Sequence, residues 1–132
     1  MLNDIQEFMN EITNGITTIE KKWVDVFKPN KKDNKNQVVF RLANREDTKC
    51  LSTGQIETSM FTFEIFVVGD KKRKETRDLS EQLYNALGSV YNTTKNNTII
   101  IMTKANGHSF QFLENDGVVV NKFTLMITAQ NK

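Results

Sequence analysis

Apolar residues at Leu2, Ile5, Met9, Ile12, Ile16, Ile19, Trp23 and Val26 follow one another in alternating steps of three and four. That spacing gathers them on one side of a helix. The pattern predicts a helix over Leu2 to Asn14, because Thr13-Asn14-Gly15 is a good helix end. The stretch that follows has two readings, helical or extended, since WVDVF alternates as a strand does. Lys28 to Asn36 holds the only proline and no apolar residue, so it reads as a solvated loop. Gln37 to Ala43 is then a short strand, and NREDTKCLST a polar connection. From Gly54 to Val68 runs the clearest strand signal, with Phe61, Phe63, Ile65 and Val67 on one face and Thr62 and Glu64 on the other. It is long for a strand, which predicts that it outruns its sheet or bends.

Gly69-Asp70 breaks that strand, with Asp70 a candidate N-cap. KKRKETRDLSEQLYNALGSV then reads as a helix whose Leu79, Leu83, Ala86, Leu87 and Val90 form an apolar stripe. Thr98 to Thr103 and His108 to Glu114 flank Ala105-Asn106-Gly107, and Asn-Gly is the strongest short hairpin signal. Asn115-Asp116-Gly117 turns the chain into a last strand with Phe123, Leu125 and Ile127 on one face. This order predicts one α+β domain over residues 1–132, a mostly antiparallel sheet with two main helices packed on one face. The expected core is Phe40, Phe61, Phe63, Ile65, Phe110, Phe112, Phe123, Leu125 and Ile127, covered by Leu79, Leu83 and Ala86.

Composition narrows the setting. The 132 residues suit one domain, and at 38% hydrophobic with nine Phe the chain has an aromatic core available. A net charge of +2, with acids and bases interleaved, is too weak for a committed nucleic-acid binder. A single cysteine, Cys50, excludes an intrachain disulfide and a cysteine metal cluster, and fits a reducing compartment. The beginning MLNDIQEFMNEI lacks the basic and apolar blocks of a signal peptide, and no apolar run is long enough to span a bilayer, so neither export by that route nor a membrane partner is expected. The sequons at Asn92 and Asn96 then read as chance.

Little catalytic chemistry is visible. His108 is the only histidine, with no Cys, Asp or Glu at metal-ligand spacing, and it reads as structural. Nucleophilic catalysis needs Cys50 or a serine paired with it, and the rest of a triad is not legible. The glycines at 54, 69, 88, 107 and 117 stand singly, so no phosphate loop is expected. Glu46-Asp47 and Asn115-Asp116 fall where turn hydrogen bonds explain them. No cofactor and no metal are expected, and the protein is expected not to be an enzyme. Lys31, Lys32, Lys35, Lys71, Lys72, Arg73 and Lys74 are candidate contacts to a partner or to DNA, with a solvated helix start as the alternative for the KKRK run. Ile56, Met60, Phe66 and Val68 make the long strand's second face too apolar for water, which marks them as a candidate subunit interface.

A helix, a polar loop, the strand QVVFRL, a long strand ending FTFEIFVVGD, the helix TRDLSEQLYNAL and the final strand VVVNKFTLMITA resemble the tail terminator or tail completion proteins of long-tailed bacteriophages and prophages, often labelled minor capsid proteins. The resemblance covers nearly the whole chain and rests on element order. It implies a structural protein that forms a ring, usually a hexamer, caps the tail tube, ends its polymerisation and contributes to head-tail joining. The implied partners are further copies of the chain, the tail tube protein, a head-completion protein and DNA passing through the lumen without sequence-specific binding. The implied location is the host cytoplasm during assembly and then the virion or a tail-like particle. A head-completion or connector protein of the same neck region is the near alternative. A weak nucleic-acid binding module and a small enzyme built around His108 are the distant ones.

Overall fold

The computed structural model describes residues 1–27, 36–70, 73–113 and 118–132. Its elements are α1 (Leu2–Ile16), β1 (Glu20–Trp23), β2 (Gln37–Lys49), β3 (Ile56–Asp70), α2 (Arg73–Leu87), β4 (Tyr91–Lys95), β5 (Thr98–Leu113) and β6 (Val118–Asn131). The strands form one sheet in the order β1-β2-β3-β6-β5-β4. All neighbours are antiparallel except β1 and β2. The fold is thus α+β with a mostly antiparallel sheet, as the alternation of apolar residues predicts.

The centre of the sheet is the pairing of β3 with β6, continuous from Ser59–Ala129 to Asp70–Val118. Period two puts Phe61, Phe63, Ile65 and Val67 beside Phe123, Leu125, Ile127 and Ala129 on one face, and all are buried. Ile5, Phe8 and Met9 of α1 and Leu83 and Leu87 of α2 close over that face. Burying each Phe or Leu there contributes about 1.5–3 kcal/mol. Leu79 and Ala86 are half-buried at the margin. Phe110 is 51% exposed, which removes it from the expected core, and the side chain of Phe112 lies outside the described residues.

The long strand does not outrun its sheet. From Ser59 to Val68 it is paired on both sides, Ile56 to Thr58 have β2 alone, and Gly69 and Asp70 have β6 alone. The segment from Asn44 to Lys49, expected as a polar connection, continues β2 because pairing with β3 satisfies its backbone. The undecided stretch after α1 is extended. Thr17 ends the helix in a β conformation, and Glu20–Trp23 pairs parallel to Gln37–Phe40.

The largest departure concerns Asn106-Gly107. No hairpin forms there: β5 runs straight through to Leu113, and the pairing with β6 slips between Asn106 and Ser109. Gly107 has φ +66, so the glycine serves a β-bulge in place of a turn. The hairpin sits earlier, between β4 and β5, where Asn96 takes φ 53. A second correction concerns Asp70, which pairs with Val118 at the end of β3, while α2 begins at Arg73. Gly69 is required for another reason: a Cβ there would stand 2.0 Å from Oγ1 of Thr76 on α2.

With β3 drawn running downward, β1, β2, β4 and β6 run upward and β5 downward. β1 flanks only the lower part of β2, and β4 only the upper part of β5.

Candidate assembly surfaces

The face of the sheet opposite the helices changes character from bottom to top. At the bottom, Val68, Val118 and Val120 are buried beneath Phe27 and Phe66, whose rings lie 4.4 Å apart. Across the middle, Glu64 of β3 bonds to Arg41 of β2 and, at 2.6 Å, to Lys122 of β6. Hydrogen bonding from Lys122 holds the Glu64 carboxyl below its usual range, with both cations adding to the effect. Lys122 also stands over the Phe66 ring at 5.7 Å, and Arg41 Nε donates to the Asp25 carbonyl at 2.8 Å. Toward the top, Ile56 and Met60 are half-buried, with Met102 on β5 39% exposed.

The four candidate interface residues Ile56, Met60, Phe66 and Val68 therefore share the open face but not one environment. Val68 is 2% exposed and Phe66 packs into the satellite cluster, so the lower pair is satisfied within the chain. Ile56 and Met60 border the open upper face. The sequence pattern assigns all four to one side correctly and has no means of locating Phe27, which covers two of them.

The candidate basic contacts divide differently. Lys31, Lys32, Lys35, Lys71 and Lys72 lie outside the described residues, as does the side chain of Arg73. Lys74 is exposed in the first turn of α2.

On the helix side, His108 is brought to Ser80, a pairing across 28 positions that sequence reading leaves unassigned. Ser80 Oγ lies 2.5 Å from His108 Nε2, and the imidazole stacks on Tyr84 at 5.0 Å and against Phe110 at 4.4 Å. Burial lowers the His108 pKa. The Ser80 side chain is fully buried on α2, so this hydroxyl fastens the bulge of β5 to the helix and meets no solvent. A cleft of about 430 Å³ lies instead against Val67, Thr76 and Leu79. Among the described residues no three His, Cys, Asp or Glu side chains gather to hold a metal, and no helix is long and apolar enough to cross a membrane.

At the hairpin tip, Cys50 Sγ lies 3.2 Å from Ser52 Oγ, and hydrogen bonds from Ser52 and Thr53 lower its thiol to about 6. Arg45 stands 4.9 Å over the Phe61 ring and donates to Asp47 at 3.0 Å. The ribbon of β2 and β3 that carries Arg45 and Asp47 has Ala43 to Lys49 all exposed.

No protein-family model matches the sequence, and no curated protein matches it. Among solved structures, the fold is similar to a chain in the virion of a native gene transfer agent (GTA) particle. The TM-score is 0.55 at 8% identity, over 92% of this chain and 84% of that one. At that identity the likeness is one of fold.

Proposed function

We propose that this protein is a structural component of a phage or prophage particle, and within it the tail terminator. Copies close into a ring, with a hexamer expected, that seats on the end of the tail tube, stops its growth and offers the surface that meets the head-completion protein. The observation that carries the coarser reading is the shared fold with a virion chain over nearly the full length of both. The finer reading rests on the element order described for the sequence. The half-open upper sheet face with Ile56 and Met60 supports it, since an assembled particle supplies the cover that these side chains lack.

The ring uses no cofactor and no covalent chemistry. Its work is to present one surface of each subunit to the next and one end of the ring to the tube. Lys74, exposed in the first turn of α2, meets a polyanion or the tube, and the small net charge lets DNA pass without being held. Closure in solution is weak where the tube acts as template, so ring and tube are best studied together.

The test is a phage or prophage from which the chain is deleted. Tails overgrow or fail to join heads, and expression in trans restores normal length. Tails of normal length on filled heads would refute the terminator. Normal tails beside unjoined, leaking heads would move the assignment to the head-completion position.

A further inference from the structure

Besides the outer sides of the short edge strands β1 and β4, two stretches of sheet edge have no strand beside them among the described residues, and they sit at diagonally opposite corners. β1 ends its pairing at Phe40, which leaves the upper β2, from Ala43 to Lys49, open on its outer side. β4 ends its pairing at Met102, which leaves the lower β5, from Lys104 to Leu113, open on the other side of the sheet. The upper β2 runs upward and the lower β5 downward. A second copy set beside the first, helices on the same side and moved upward by part of a strand length, brings its lower β5 antiparallel against the first copy's upper β2. In that step β1 of the first copy lies below the neighbour's β5, and β4 of the neighbour lies above the first copy's hairpin tip, so neither short edge strand obstructs the contact.

We propose that β2 of each subunit pairs antiparallel with β5 of the next, so that the ring carries one continuous intersubunit sheet. This rests on the ring reading above and supplies its joint. Three observations favour a second copy as the occupant. The free backbone groups of the two edges are complementary in direction and comparable in length, and unpaired edges are what a strand adds to. The charges of Arg45, Glu46, Asp47 and Lys49 sum to zero, so this edge carries no single-sign guard against an added strand. Finally Phe110, on the free part of β5, is 51% exposed although it stands on the helix side of the sheet, opposite Asn121.

The faces fix the register. Above the slip between Leu42 and Asn44, Arg45 shares the helix side with Phe61, while Asn44 and Glu46 lie on the open side opposite Thr62 and Met60. On β5, Ser109 and Gln111 lie on the open side, opposite Lys122 and Val120. Setting Arg45 against the neighbour's Phe110 keeps every residue on its own side, puts Glu46 against Ser109, and gives the Arg45 guanidinium a second ring. The upward step between copies is no obstacle to closure, because a closed sheet requires tilted strands and a cumulative stagger.

The experiment is cysteine pairing in a Cys50→Ser background. Glu46→Cys with Ser109→Cys joins neighbours on mild oxidation. Within one chain these positions are three strand spacings apart sideways, about 14 Å, and six residues of β6 apart along the strands, too far for a disulfide. Glu46→Cys with Thr94→Cys, which lies on the same open side and tests β4 as the partner edge, stays unlinked. Both are run on concentrated protein and on particles from an induced prophage, with denaturing gels and negative-stain images. A ladder ending in a closed species for the first pair alone is the expected result. Rings on the grid without that ladder overturn the joint and leave the ring reading standing, as does a ladder through Thr94→Cys. A ladder of open chains that never closes keeps the joint and sinks the ring. Neither rings nor ladder in any sample sinks both.

Discussion

Thr98 Oγ1 donates to Asp4 Oδ2 at 2.8 Å, which fastens the first turn of α1 to the start of β5. Asn96 donates to Asp4 at 3.1 Å and to Glu7 at 2.9 Å, and Lys95 bonds to Glu11. One face of α1 is thus apolar and set on the core, while its acidic edge reads the turn between β4 and β5. The contacts of Asn96 and Lys95 are exposed, so they orient the helix more than they stabilise it.

Phe63 is fully buried at the centre of β3, in T-shaped contact with Trp23 at 5.9 Å and stacked on Phe61 at 6.3 Å. Phe63→Ala lowers stability by about 3–5 kcal/mol. Phe110→Ala, at a half-exposed site, costs less than about 1.5 kcal/mol, so the two variants separate in a urea midpoint series.

The glycines respond in opposite directions. Gly69→Ala drives a methyl into Thr76 and costs roughly 1–3 kcal/mol. Gly15→Ala meets nothing within 4 Å at the end of α1 and stabilises by about 0.4–1 kcal/mol through the unfolded chain. Thermal midpoints that fall for the first and rise for the second are the expected readout.

Asn121 is 1% exposed between Val67 and Phe110, and among the described residues its side-chain amide finds no hydrogen-bond partner at either end. Asn121→Leu removes two unsatisfied polar atoms at similar volume and raises stability by about 1–3 kcal/mol. An unchanged or lower denaturant midpoint contradicts this.

The Glu64 carboxyl is held below its ordinary value of 4.5, first by its bond with Lys122. A folded pKa that is depressed contributes stability above the ordinary value, and that contribution is lost as pH falls through the lower folded one. Wild type therefore loses more stability than Glu64→Gln on acidification from about pH 5 downward. Parallel curves for the two proteins over that range count against the pairing.

Much of this was legible in the sequence because the central strands are two-sided. Phe61, Phe63, Ile65 and Val67 alternate with polar partners, and period two fixes their face whatever the neighbours are. The Asn106-Gly107 bulge was not, since a bulge and a tight turn both call on a glycine at positive φ. Only β6, long enough to pair with β5 on both sides of the slip, decides between them. The strands YNTTK and EKKW carry no alternation, and Asn44 to Lys49 no apolar residue, so each becomes a strand through its partner. The Ser80–His108 contact depends on that same bulge, and local patterns do not reach it.

The fastening of α1 to the β4–β5 turn joins residues 94 positions apart, and the central strands close only when β6 is present. A ribosome delivering this chain releases the amphipathic helix long before the strands on which that helix docks. Folding consequently waits for β6 and has high contact order, expected to be slow beside helical domains of the same size. Throughout that interval the apolar stripe of α1 and the β2–β3 ribbon stand unshielded, and a chaperone is the natural reader of both.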